Sequence, residues 1–385
     1  MLQVLPNPEV VSVGVSHADT AHAAVREAVA ALDLVQSCFV LVFVPNRLDL
    51  SALEAALQAE LQGVPAFGCT TAGQITPEGY ENDALLLIAF PKAHFRCASL
   101  LLPGLKPLSI QRIAAEASHL AARFQRTAGW SRLALTFADG LSKQEDVLVA
   151  ALETGLGELP VFGGSAGDGL DFRATRVFHN GQFHDNAAIL VILETDLEFL
   201  GLGFDHFLPT GDPMVVTGAI PEERLVIEIN GAPAAAEYAR LVGVDIADLS
   251  PRVFAENPVL VRNSALYHVR AIQGVEVGGA LSFFSAIDDG LILRLGSEKE
   301  ILKTLDAELA VRNARGAAPD FVLGFDCFLR KVEIEQKGLT EDASAILRAH
   351  RVLGFNTYGE QHCGVHVNQT FVGVAFFQPK RRDLH

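Results

Sequence analysis

The chain has 385 residues, enough for two domains that each bury a core, and half of those residues are hydrophobic. No apolar run reaches the roughly 18 to 20 residues that cross a bilayer. A formal charge of −16, with Lys and Arg scattered along the chain, repels phosphate backbones and anionic lipid, which argues against nucleic acid and membrane surfaces as partners.

Residues 1–15 contain no basic segment followed by an apolar one, so a cytoplasmic location is expected. Val10 to Val15 reads as a strand, Asp19 to Leu34 as an Ala-rich helix, and Phe39 to Val44 as a strand buried on both faces. Ser51 and Glu54 form a capping-box pattern, and Leu50, Leu53, Leu57 and Leu61 follow at helical spacing. Gly63 ends that helix, and the chain passes through Val64 to Phe67 into GCTTAG at Gly68, then into a strand from Leu85 to Phe90. Ile110, Ile113, Ala117, Leu120 and Phe124 mark the buried stripe of the next helix, after which the cycle repeats. Leu133 to Phe137 is a strand, Ser142 and Glu145 form a second capping box, and Val147 to Leu156 is helical. Pro160 to Phe162 then enters GGSAGDG at Gly163, and Ala188 to Leu193 returns. A third copy closes the chain: strand Phe321 to Phe325, a helix through Ile346 and Leu347, Arg351 to Phe355 entering GFNTYGE, and Phe371 to Phe377 returning.

Between the second and third copies the texture is β-rich, with strands expected at Met214 to Ala219, Leu225 to Ile229, Val259 to Val261, Leu266 to Ile272, Leu281 to Ile287 and Leu291 to Leu295. A helix starts at Pro233, and DDG at Asp288 to Gly290 is expected to join two strands as a hairpin. PTGDP, from Pro209 to Pro213, is expected to break any regular element. The expected class is therefore α/β in the α+β sense: two mixed-sheet domains, 1–210 and 211–385, built from repeated strand, helix, strand, Gly-turn, strand units. The short returns exclude an all-parallel sheet.

The most polar stretch, Gly354 to Thr370, reads GFNTYGEQHCGVHVNQT between two apolar segments. Such a stretch is expected to form the lip of a binding site, where solvent or a ligand satisfies its backbone and side chains. The five cysteines, Cys38, Cys69, Cys97, Cys327 and Cys363, are scattered and contain no CxxC pair, against a disulfide framework or a structural zinc site. GGSAGDG lacks the P-loop and dinucleotide-binding spellings. A hydrolase built on Ser165 or Cys69 would lack both a nucleophile elbow and an assigned base, so a non-enzymatic role is expected.

GCTTAG, FGGSAGDG, the LPT after His206, FDC at Phe325 to Cys327, and GFNTYGE with HVNQTF together resemble the paired FIST N-terminal and C-terminal domains, over nearly the whole chain. Within that family HFxPT (His206 to Thr210), NPVLVR, FDCxxRxxEIE (Phe325 to Glu335) and YGEQxxGVHVNQT (Tyr358 to Thr370) resemble the NosP nitric-oxide-sensing haemoproteins. The resemblance implies a sensory protein that binds haem b through a histidine, responds to nitric oxide, and regulates a partner histidine kinase or cyclic-di-GMP enzyme controlling biofilm behaviour. A homodimer is left open.

A haem-ligating imidazole must be neutral, rigidly held and hydrogen-bonded through its other nitrogen. His366 is the first candidate for the metal, with Asn368 and Thr370 expected on its strand face; the simpler alternative is that all three satisfy the turn's backbone. His206 is the second candidate. His362 and His268 follow, with Arg270 beside His268 as a partner for a propionate, although a plain surface role is the simpler expectation for both. Tyr358 belongs to the expected ligand wall, and Cys327 is either a thiolate or a small buried hydrophobe. Arg262, Arg270 and Arg330 are expected in or beside strands, pairing with a ligand carboxylate or with Glu333 and Glu360. A metal-free receptor for an amino acid or similar carboxylate is the alternative function.

Overall fold

The structure is a computed structural model that describes residues 8–263, 266–362 and 364–378; Cys363 and His385 lie outside these. The mixed α/β class expected from the sequence is what it contains. The repeat is also longer than the sequence revealed: strand, helix, strand, helix, strand, short hairpin, returning strand. The first copy runs through Ser12–Ser16, helix Ala21–Ala30, Ser37–Val44, helix Leu50–Glu60, Ala66–Thr70, the hairpin Gln74–Thr76 with Gly79–Glu81, and Leu85–Pro91. The second runs through Phe95–Pro103, helix Ile110–Arg123, Ser131–Ala138, helix Glu145–Leu156, Val161–Ser165, the hairpin Val177–His179 with Gln182–His184, and Ala187–Thr195. The third opens with Phe199–Phe204 and resumes after an insert with helix Ile301–Leu309, Phe321–Cys327, helices Phe328–Gln336 and Thr340–Ala349, and Val352–Thr357. It ends with the hairpin Glu360–His362 with Val365–Val367 and the returning strand Phe371–Phe376.

Each copy builds one sheet in the order edge strand, returning strand, then two parallel strands, but the sheet is completed by a hairpin from another copy. The first sheet takes the hairpin 177–184 from the second copy, the second takes 360–367 from the third, and the third takes 74–81 from the first. The exchange is cyclic, so the three sheets enclose one shared interior. Phe43, Phe137, Phe325 and Phe355, drawn from all three sheets, meet there at ring separations of 4.7 to 6.2 Å. Each outer face is covered by helices of its own copy. Burial on both faces is why the first parallel strands read as unbroken apolar runs.

The Gly turns occupy equivalent positions. A Cβ on Gly68, Gly163 or Gly354 would sit 1.8 to 1.9 Å from the carbonyl oxygen of Val42, Thr136 or Gly324 on the parallel neighbour, so only hydrogen fits. Beyond those glycines the turns bond to one another in a ring: Gly167 N–H to Thr70 O at 3.0 Å, Tyr358 N–H to Ser165 O at 3.3 Å, and Ala72 N–H to Asn356 O at 3.0 Å.

The insert forms its own sheet, holds the helices Ala234–Val242 and Pro251–Glu256, and caps the end of the three-sheet body where the turns meet. Four local expectations change here. PTGDP does not stop the chain: the strand Phe207–Ile220 runs through it, absorbing Gly211 and Pro213 in a register shift between Thr210 and Met214. DDG does not close a hairpin, because Leu281–Phe283 pairs with Leu225–Ile229 whereas Ile292–Glu298 pairs with Phe207–Ile220 and Val259–Asn263. The helix assigned to the Ser51 box is capped by Asp49, whose carboxylate accepts from Ala52 N–H at 2.7 Å, and Glu54 instead accepts from Phe183 N–H. Helix Glu145–Leu156 has no side-chain cap, Ser142 accepting from Gln144 N–H two residues on.

Candidate functional site

The stretch 354–370 is not a solvated lip. Val352–Thr357 is a buried strand and Glu360, Gln361, His366, Asn368 and Gln369 are almost wholly enclosed, because the hairpin is the piece exchanged into the second sheet and the insert lies over it. Several of its polar groups are answered from inside. The Tyr358 hydroxyl donates to the Asp168 carboxylate and accepts from Asp168 N–H at 3.2 Å. Asn368 donates to Tyr358 O at 3.2 Å and accepts from the Ser285 hydroxyl of the insert, and Arg270 donates to His366 O at 3.0 Å. The fold thus brings Tyr358, Arg270, His366 and Asn368 to one seam, with Cys327 in the apolar cluster beside Tyr358. Burial holds the Cys327 thiol protonated.

The His366 ring is buried among groups far from it in sequence: Glu145 and Asp146 at the start of a helix, and Arg224 of the insert. Arg224 donates to Glu145 at 2.7 Å and Asp146 at 3.0 Å, a buried ion-paired bridge between insert and body. Burial depresses the His366 pKa, and neither ring nitrogen has a hydrogen-bond partner among the described residues. The acidic pair at a helix start was visible in the sequence; that an arginine 78 residues on would meet it was not.

His206 stands elsewhere, wholly buried, with both nitrogens engaged. Arg330 Nη1 donates to Nδ1 at 2.8 Å, which leaves Nε2 carrying the proton it gives Glu333 at 2.8 Å. The ring is neutral, consistent with a pKa that burial lowers despite the adjacent carboxylate. Arg330 lies on a helix rather than in or beside a strand and pairs with Asp326 at 2.7 Å.

A cavity of about 220 Å³ opens on the outer side of the 360–367 hairpin, between it, the third sheet and the hairpin 259–270 of the insert. Phe204, Val365, Val367 and Val372 make its apolar walls, and Asp205, Tyr267, His268, His362 and Thr370 bring polar groups to it. His362 stacks on Phe162 at 5.3 Å and covers Gly203, where a Cβ would lie 2.7 Å from the ring. Burial lowers the pKa of both imidazoles; Arg270 lowers that of His268 further, with Asp205 opposing, and the nearness of the His268 ring disfavours a charge on His362. Two neutral imidazoles therefore face an apolar hollow. Wider hollows over helix Ile110–Arg123 and beside Glu298 to Lys303 are more open and lie away from the seam.

Comparison with family models matches the FIST N domain to residues 38–232 and the FIST C domain to residues 234–363. The chain belongs to the FIST family. FIST domains are sensory signal-transduction domains that bind small ligands. A search of curated proteins finds no match to this chain. In this FIST protein no helix among the described residues is long and apolar enough to cross a membrane.

The two histidines placed first for haem do not fit that role in this structure. His206 has no nitrogen left for iron, and His366 lacks the anchoring hydrogen bond that a ligating histidine needs. The 220 Å³ between His268 and His362 is enough to enclose one ring with a short polar arm, since a cavity of roughly 150 Å³ holds benzene. No group of three or more His, Cys, Asp or Glu among the described residues is arranged to hold a metal ion.

Proposed function

We propose that this FIST protein is a metal-free receptor for a small amino acid or a related carboxylate, bound in the cavity between His268 and His362. What carries the reading is the pairing of two neutral imidazoles with one carboxylate in an otherwise apolar hollow. Imidazole N–H groups suit the ligand carboxylate, Asp205 suits its ammonium, and Phe204, Val365, Val367 and Val372 suit an aliphatic or single-ring side chain. Arg270 donates to His366 O, so this reading gives the ligand carboxylate to the imidazoles rather than to that arginine.

The cavity lies where the insert meets the body, so occupancy favours one position of the hairpin 259–270, and a partner reads the shift in population. A histidine kinase or cyclic-di-GMP enzyme is the partner class that the NosP resemblance implies. Haem and nitric oxide remain the competing ligand and signal, and one experiment separates them. Thermal unfolding against a panel of amino acids and against haemin should show stabilisation by an amino acid, about 2.7 kcal/mol at a hundred times Kd, with no Soret band from haemin. His268→Ala and His362→Ala should each abolish that response. A Soret band that persists in wild type and is lost in either variant would replace this reading with the haem one.

A further inference from the structure

Two cysteines that the sequence separates by 59 residues meet in the fold, Cys38 Sγ lying 4.0 Å from Cys97 Sγ. Cys38 belongs to Ser37–Val44 of the first sheet and Cys97 to Phe95–Pro103 at the edge of the second. The pairing of Ser37–Val44 with its neighbour skips a residue between Ser37 and Phe39, so Cys38 sits at a bulge, the device that re-aims a side chain out of a ladder. Both thiols are half-buried. The hydrogen bond between the two thiols favours a negative sulfur at Cys38, against the burial that opposes it, and Lys92 and Arg96 add smaller support; the same bond, with burial, keeps Cys97 protonated. Cys69 and Cys327 differ in being fully enclosed, where burial keeps them as thiols.

We propose that Cys38 and Cys97 form a peroxide-reactive dithiol that closes into a disulfide between the first and second repeats. The Cys38 thiolate attacks one oxygen of a hydroperoxide, the O–O bond breaks, and hydroxide or alkoxide leaves, so that sulfur is oxidised to the sulfenic acid as the peroxide is reduced. The Cys97 sulfur then attacks the Cys38 sulfur, the S–O bond breaks, and the Cys97 proton leaves with the departing oxygen as water. The product staples two of the three sheets at a seam that shares no residue with the lining of the imidazole cavity, so it gives the molecule an oxidant input distinct from its ligand.

Peptide mapping of the folded full-length protein after hydrogen peroxide, with free thiols blocked by an alkylating agent, tests this. The expected product is a Cys38 peptide joined to the Cys97 peptide and lighter by two hydrogens, with Cys69 and Cys327 alkylated only after denaturation. Cys97→Ser should stop at a Cys38 sulfenic acid that a dimedone-type probe captures. Cys38→Ser should leave Cys97 unoxidised, at least roughly tenfold slower to react than Cys38 in the parent. A bridge to another cysteine, or Cys38 and Cys97 fully alkylated after peroxide has oxidised Cys69 or Cys327, would overturn the proposal. The wild-type map decides even if a serine variant fails to fold.

Discussion

Glu360 is fully buried, with Oε2 accepting from Thr370 N–H at 3.3 Å and from the Thr370 hydroxyl at 2.5 Å, and with no partner for Oε1 among the described residues. Burial raises its pKa well above the usual carboxylate range, and nearby Asp326 adds to this. The folded chain therefore keeps a proton that the unfolded chain releases above its own pKa of about 4.3. Stability contributed by this group is full below that value and declines by up to about 1.4 kcal/mol per pH unit until the folded pKa is passed. Glu360→Gln keeps the acceptor for Thr370 and removes the slope. Urea titrations at pH 6 and pH 8 should show the variant gaining on the parent as pH rises; an equal or widening deficit at pH 8 would mean the native carboxyl is ionised. The histidines act oppositely. The pKa values of His206, His268, His362 and His366 are lowered in the fold, so below about pH 6.5 the unfolded chain takes up protons that the native one refuses. The same titrations extended to pH 5 should therefore show stability falling as acid is added.

The element on which each repeat depends is its second parallel strand, whose glycine lets two backbones approach. Gly163→Ala would place a methyl carbon 1.9 Å from Thr136 O, and since that atom is backbone the strands must part. A loss of about 1–3 kcal/mol is expected from such overpacking, read as a lowered urea midpoint. Gly129→Ala is the control of the opposite kind, with open space around the site but a φ of 78°, so it tests backbone strain alone. These strands also explain what the sequence could and could not show. Ser37–Val44, Ser131–Ala138 and Phe321–Cys327 announce themselves because both faces are buried, and the glycines after them mark the turns. Phe95–Pro103 carries no such signal because it is an edge strand of mostly half-buried residues, and the exchanged hairpins carry none because strands of three residues have no period. At the site the loop is legible as special, but its special character is burial, with some polar groups answered from inside and others, His366 among them, without a partner among the described residues. His268 and His362 rank below His366 and His206 on sequence alone because a cavity formed by three elements distant in sequence leaves no local spacing to find.

At the scale of the molecule, the cyclic exchange of hairpins ties residues on either side of position 210 into common sheets. A fragment of residues 1–210 keeps every strand of the first sheet, but its second sheet loses the hairpin 360–367 and its own hairpin 74–81 loses the strand it pairs with. Two of the three bonds in the ring of turns disappear, those involving Tyr358 and Asn356. The larger loss is the shared interior. Phe43, Phe90, Phe95 and Phe137 all pack on rings of the third sheet. Uncovering four such side chains, at about 1.5–3 kcal/mol each, removes about as much as the 5–15 kcal/mol that separates folded from unfolded states. The full chain is expected to lose its three-sheet body in one cooperative transition, and fragment 1–210 to lack one, giving a broad melt, poor amide dispersion and dye-binding apolar surface. Co-expression with 211–385 supplies the missing sheet and hairpin and should restore the sharp transition. A fragment that melts sharply by itself would show that the first two sheets close without the third, and that the hairpin exchange contributes little to cooperativity.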